Sequence, residues 1–342
     1  MNTTTGSPQA AIAPRGLATA SGLALMLAAA SVLLLLAGLA AGSDGWSLAW
    51  ADEWTLLRDI RAPRSIGAWL AGALLGFAGA VAQGLFRNPL ADPYLLGSAA
   101  GAGLGVVLVL AAGSAAGASI GLATAGALLQ VGLVGAAFIG ALAGVTLTLL
   151  LAGGAGRPLS LLLCGVVVGV LLTAVSDLVM LVSPEAMRGK QIFLLGTTGF
   201  LGWHSALVLG CVLAVVLPAA MRVSRALDAL VLGEASAASL GVPLQQVRLL
   251  LVAVMAMATG AAVAQAGMIA FVGLVAPHLV RRCVTVAHGP LLALSAMAGG
   301  VLLLAGDIAA RTLVAPQELP VGVLTAVLGG IYLLVLLRRR HA

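Results

Sequence analysis

Apolar stretches alternate with short polar joints along the whole chain, and the apolar runs fall at 17–41, 65–85, 94–112, 120–151, 160–182, 205–221, 245–264, 268–280, 291–309 and 320–337. A helix needs about 20 apolar residues to cross a bilayer, so the pattern predicts an all-α polytopic membrane protein with about ten transmembrane helices. Runs such as 17–41 and 291–305 are apolar on every face. That excludes barrel strands, which alternate apolar and polar positions. The first run is also longer than a signal-peptide core, and it reads as a transmembrane helix, with cleavage after the small residues Ala40 to Ser43 the minor reading. Residues 1–16 form a polar tail and 17–342 one membrane domain.

Composition agrees: 61% of the residues are hydrophobic and 8% charged, far from the roughly 25% charge of a soluble domain. A soluble enzyme, a secreted module and a disordered regulator are therefore excluded. The net charge of +6 does not point to nucleic acid, because the 17 basic residues lie singly or in small clusters between the apolar runs. They report topology instead. With the N-terminus cytoplasmic, Arg15, Arg87, Arg157, Arg222, Arg225, Arg248, Arg281, Arg282, Arg338, Arg339 and Arg340 fall inside. Arg58, Arg61, Arg64, Arg188, Lys190 and Arg311 fall outside, which is the direction the positive-inside rule requires. Trp46, Trp50 and Trp54 are spaced as an interfacial aromatic belt would be.

Glycines recur four apart at Gly72 and Gly76, at Gly97, Gly101 and Gly105, at Gly140 and Gly144, and at Gly165 and Gly169. Such stripes predict close backbone approach between helices and nothing chemical. An internal echo joins Gly79-Ala-Val-Ala-Gln83 in the second run to Ala261-Ala-Val-Ala-Gln265 in the seventh, each expected to precede a proline turn, at Pro89 and Pro93 or at Pro277. The echo fits an inverted repeat of helices 2–5 and 7–10, and equally a chance match in Ala/Gly-rich sequence.

Two polar blocks interrupt apolar sequence. In Arg87-Asn88-Pro89-Leu-Ala-Asp92-Pro93 the two prolines break the helix, while Asn88 and Asp92 can bond the freed backbone groups. The second block, 222–243, is centred on Leu232-Gly233-Glu234-Ala235 through Ser239-Leu240-Gly241. It predicts a short helix over Ala235 to Leu240, ended by Gly241 and Pro243 and placed as a handle for a cytosolic partner.

These blocks, with Arg61-Ala-Pro-Arg64, Ile269 to Arg281 (which contains Pro277 and His278), Asp307-Ile-Ala-Ala-Arg311 and Glu318-Leu-Pro-Val-Gly-Val323, resemble the FecCD-type permeases of ATP-binding-cassette importers for iron chelates and cobalamin. The resemblance covers the chain from Arg61 to its end. It implies the type II importer architecture in a bacterial inner membrane, with both termini cytoplasmic. A second copy, two cytosolic ATP-binding subunits, an extracytoplasmic binding protein and membrane lipid are the implied partners, with no nucleic acid. It also implies that 222–243 couples to the ATPase and that Arg61, Arg64 and Arg311 pair with carboxylates of the binding protein. The cargo implied is an iron chelate, siderophore ahead of haem, with cobalamin as the alternative. No catalytic residue, metal site or cofactor is expected. ATP is used by the partner, since the phosphate-cradling GxxxxGK[ST] spacing is absent from the chain.

The remaining polar residues fit bland roles. Asp307 stands one helical turn from Arg311 and predicts a local ion pair. Asp177 has no evident partner in sequence, which makes it the best residue for a proton-coupled secondary transporter, the competing class. His278 lacks companions at ligand spacing, and the segment 184–204 reads as an ordinary outer loop. The cysteines Cys164, Cys211 and Cys283 read as small membrane side chains.

Overall fold

The computed structural model describes residues 19–42, 45–46, 54–115 and 122–341, so the N-terminal tail and Trp50 lie outside the described residues. Each of the ten apolar runs forms a helix: α1 (Ala20–Ala40), α2 (Ala62–Phe86), α3 (Ser98–Ala115), α4 (Leu122–Leu151), α5 (Pro158–Val182), α7 (Trp203–Arg222), α10 (Leu244–Ala266), α11 (Val272–Cys283), α12 (His288–Thr312) and α13 (Val321–His341). Between them lie α6 (Pro184–Leu195), α8 (Ser224–Val231) and α9 (Glu234–Ser239). The segment 184–204 is therefore largely helical, because Pro184 starts a helix in the first-turn position that proline tolerates.

Among the described residues seven helices are long and apolar enough to cross a membrane alone, namely Ala20–Ala40, Trp54–Phe86, Gly132–Leu151, Pro158–Val182, Trp203–Arg222, Leu244–Ala266 and His288–Thr312. The run at 268–280 departs furthest from expectation. Its helix, α11, has 12 residues, about 18 Å at the usual rise, and the rest of the run is irregular backbone in which Phe271 takes φ 68°. Pro277 lies inside α11 and not in a turn. It leaves the Gly273 carbonyl without an intrahelical donor, and that carbonyl faces Gly79 of α2, where an added Cβ would overlap it.

α2 is the central shaft. It continues from Trp54 through a π-helical stretch, Leu57–Arg61, and is buried along almost its full length against α7, α10, α11 and α12. Leu74, Phe77, Leu251, Met255 and Leu292 meet in the main core. The glycine stripes act as the spacing predicts: Gly72 and Gly76 lie against the Gly299 backbone of α12, and Gly101 against Gly140. Gly169 is the exception and faces open space.

α2 and α10 pack together and run in opposite directions. α2 ends beside the start of α10, where Arg87 and Arg248 share a carboxylate, while the end of α10 at Ala266 accepts a hydrogen bond from the backbone of Thr197. The molecule therefore has two ends, named below for Arg64 and for Glu234. The start of α1 packs on Val280, Val284 and Leu291 at the Glu234 end, and the far end of α1 reaches Arg311 at the other. A short antiparallel pairing of Ala41–Gly42 with Gly45–Trp46 follows α1.

Candidate functional site

At the Arg64 end the structure gathers charges from three segments into one network, buried except at Glu318. Arg64, in the first turn of α2, donates to Asp307 Oδ1 from Nε at 3.2 Å and from Nη2 at 3.1 Å, and to Glu318 from Nη1 at 2.9 Å. Asp307 is fully buried and also pairs with Arg311 and accepts from the Thr198 hydroxyl. Arg311, one per cent exposed, donates further to the Gly38 carbonyl at 3.2 Å and to Ser65 Oγ at 3.2 Å. The local ion pair read from the i, i+4 spacing is present and is only one edge of this network.

The three arginines read from the resemblance as docking residues are thus buried. Arg61 is seven per cent exposed and donates to the Leu39 carbonyl, while Arg64 and Arg311 already hold carboxylates of their own chain. Arg58, a turn earlier, has a side chain 69% exposed and only a 3.8 Å contact to Asp59.

At the Glu234 end the polar blocks meet. Arg87 closes α2 in a left-handed conformation, φ 49°. Asn88 Oδ1 accepts from Leu90 N at 2.9 Å, and Asp92 Oδ1 caps the short helix Pro93–Leu96 by accepting from Tyr94 N at 2.8 Å. These Asx contacts are the backbone repair that the sequence predicts. Burial of Asp92 pushes its carboxyl above the usual range, with the Tyr94 hydrogen bond opposing.

The expected short helix is α9, flanked by Gly233 at φ 105° and Gly241 at φ 78°, conformations that a Cβ disfavours. Leu232 is 69% exposed and Leu240 67% exposed, whereas Ala237 is buried. Glu234 opens α9, and its Oε1 lies 2.7 Å from Arg248 Nη2 and 3.6 Å from Arg87 Nη2. Ala235, Ser239 and Gly241 complete the helix and its exit. Nearby, Asp228 of α8 accepts from both the backbone N and Nδ1 of His288, tying α8 to the start of α12.

A cavity of about 950 Å³ lies between the two ends. Asp92, Tyr94 and Gly97 line it on one side, Gly165, Gly169 and Thr173 of α5 on another, with Lys190 of α6 and Met268 completing it. Asp177, which has no visible partner in sequence, pairs here with Lys190 at 2.8 Å. The pair is 13 residues apart, so only the fold of α6 against α5 reveals it. His278 packs edge-on against Tyr332 of α13, with ring centroids 5.8 Å apart. Among the described residues no cluster of three His, Cys, Asp or Glu side chains could hold a metal.

Several long apolar helices packed on glycines around a largely apolar cavity, into which a few polar side chains project, define a multi-pass membrane protein. The FecCD transport family model matches residues 20–339, and the chain belongs to that family. It is 37% identical to the hemin transport system permease protein HmuU of Yersinia pestis, over 93% of this chain and 96% of that one. It is equally 37% identical to the vitamin B12 import system permease protein BtuC of Shigella boydii, over 93% and 95% of the two chains. A solved structure described as an inward-facing metal-chelate type ABC transporter superposes with a TM-score of 0.81 at 26% identity, covering 94% of this chain and 99% of that one.

Proposed function

We propose that this chain is the permease subunit of an ATP-binding-cassette importer in a bacterial inner membrane, working as a homodimer and passing an iron chelate, siderophore or haem, with cobalamin as the alternative cargo. The observation that carries this reading is α9. A six-residue helix with exposed leucines at both corners, set at the end where Arg87, Arg222, Arg225, Arg281 and Arg282 gather, suits a docking knob for a cytosolic ATPase. That end is accordingly cytoplasmic, together with both termini. The apolar face of α5, with Leu163, Val167, Val170 and Leu178 exposed, and the cavity behind it supply one protomer's half of the path.

The Arg64 end then receives the binding protein. Arg58 is an exposed cation among the described residues there, and a partner's carboxylate reaches Arg64 by exchanging with Glu318, whose side chain is 33% exposed. Arg61 and Arg311 brace that platform from within. Asp177, the acid on which the proton-coupled alternative rested, is paired with Lys190 at 2.8 Å.

Uptake into proteoliposomes holding the permease, its ATPase and its binding protein tests the reading, with labelled ferric siderophore, haem and cobalamin compared. ATP-dependent accumulation of one of them is the expected result and names the cargo. Accumulation that ignores ATP and collapses with an uncoupler would instead establish a secondary transporter.

A further inference from the structure

Glu234 does more than open a surface helix. Its Oε1 is the meeting point of two arginines that lead to different parts of the chain. Arg248 is held almost entirely inside, its side chain four per cent exposed, and while one Nη grips Glu234 at 2.7 Å the other donates to the Gly156 carbonyl at 2.6 Å. Gly156 lies in the turn between α4 and α5, two residues ahead of the first residue of α5. Arg87, the second partner, sits in the turn that leads through Asp92 and Tyr94 into α3.

Both routes end at the same place. The α5 residues Gly165, Gly169 and Thr173 form one wall of the 950 Å³ cavity and Asp92, Tyr94 and Gly97 form another, the two meeting where Gly165 packs on the Leu95 backbone. We propose that the Glu234 carboxylate is the joint through which movement of α9 reaches both walls of this cavity, Arg248 passing it to the α4–α5 turn and Arg87 to the α2–α3 turn. The inference rests on the reading of α9 as the ATPase handle and adds how that handle is connected.

The chemistry suits the task. A guanidinium presents several donors in a fixed fork, so Arg248 serves Glu234 and Gly156 at once and transmits their relative position; a lysine ammonium is a flexible point charge and does not. The bond to Glu234 is charge-assisted and buried on the arginine side, which makes it stiff, while the carboxylate stays 44% exposed and so remains able to move with α9. On the Arg87 side the 3.6 Å contact is looser and half exposed, so that branch carries the smaller share. Arg248 and Arg87 are positioning residues, since neither lines the cavity.

Contiguity alone does not establish coupling, so the test reads coupling itself. In reconstituted importer, Arg248→Lys is expected to leave ATP hydrolysis within about twofold and to cut cargo transported per ATP by about tenfold or more, and Glu234→Gln is expected to lower the same ratio whatever its hydrolysis rate. A transport-to-hydrolysis ratio unchanged in both variants overturns the proposal. The same variants in the purified full-length permease are followed by hydrogen exchange. Amides at 153–157 are expected to exchange about tenfold faster once the joint is cut. If Glu234→Gln no longer assembles with the ATPase but exchange at 153–157 rises, the joint stands and only the account of α9 docking needs revision. Unchanged exchange at 153–157 overturns the joint whatever happens to assembly.

Discussion

The two ends of α2 each carry a charge cluster, and they are built on opposite principles. At the Arg64 end the central acid, Asp307, is fully buried and shared among Arg64, Arg311 and Thr198, and only Glu318 at the edge of the network meets solvent. At the Glu234 end the acid is 44% exposed and one of its oxygens serves two arginines, one buried and one nearly half exposed. A buried acid that loses its partners has no water to turn to, whereas a half-exposed one does. The first arrangement locks α1, α2 and α12 together. The second leaves a hinge at a surface helix. The same three ingredients, arginine, carboxylate and a backbone carbonyl, thus make an anchor or a joint according to where water reaches.

The sharpest way to break this contrast is to remove the buried acid. Asp307→Asn leaves Arg311 and Arg64 enclosed without their shared countercharge, and a loss of about 3–5 kcal/mol is expected. Thermal unfolding in detergent, with the fraction of monodisperse protein recovered, measures it. Combining Asp307→Asn with Arg311→Met removes the stranded charge as well, and the double variant is expected to be more stable than Asp307→Asn alone. A double variant no better than the single one would mean that the network is not the anchor described.

Next in size is the shaft between the ends. Gly79 lies where α2 meets α11, against the carbonyl that Pro277 frees. Gly79→Ala forces the two helices apart, at a cost of about 1–3 kcal/mol, and unfolding measurements should show it even though alanine is the better helix former. Gly169→Ala, facing open space, is the matched control and is expected to change stability little. If both substitutions behave alike, α2 is not the tightly gripped element that links the two clusters.

Legibility followed how local each signal is. The ten helices could be read because each is a largely apolar run, and α9 because Gly241 and Pro243 end it within a few residues. The Asn88 and Asp92 turns were equally local. What depended on distant pairs was invisible. Arg64 finds Asp307 across 243 residues, so spacing revealed only the Asp307–Arg311 edge of the network and left the arginines looking like surface cations. Asp177 looked unpaired because its lysine arrives on α6, and 184–204 looked like a loop because its charges hide a proline-started helix. Pro277 misled for a different reason. The tertiary contact that accommodates a proline within α11 comes from Gly79, nearly two hundred residues earlier, so the usual breaker signal failed.

The smallest expected effect is the one that most sharpens the comparison. Arg87→Gln removes a cation whose side chain is 45% exposed and whose carboxylate partner lies 3.6 Å away and keeps Arg248. An exposed pair of that kind contributes roughly 0–1 kcal/mol, less in salt, so the variant should unfold close to the unmodified chain and the small difference between them should fade as ionic strength rises. Asp307→Asn, by contrast, should stay destabilised at high salt, because mobile ions do not reach a fully buried pair. The decisive quantity is the difference between the two salt dependences, measured on the same protein in the same detergent. If Arg87→Gln were as damaging as Asp307→Asn and as insensitive to salt, the Glu234 end would be a second anchor, and a handle that moves on it would have no mechanical basis.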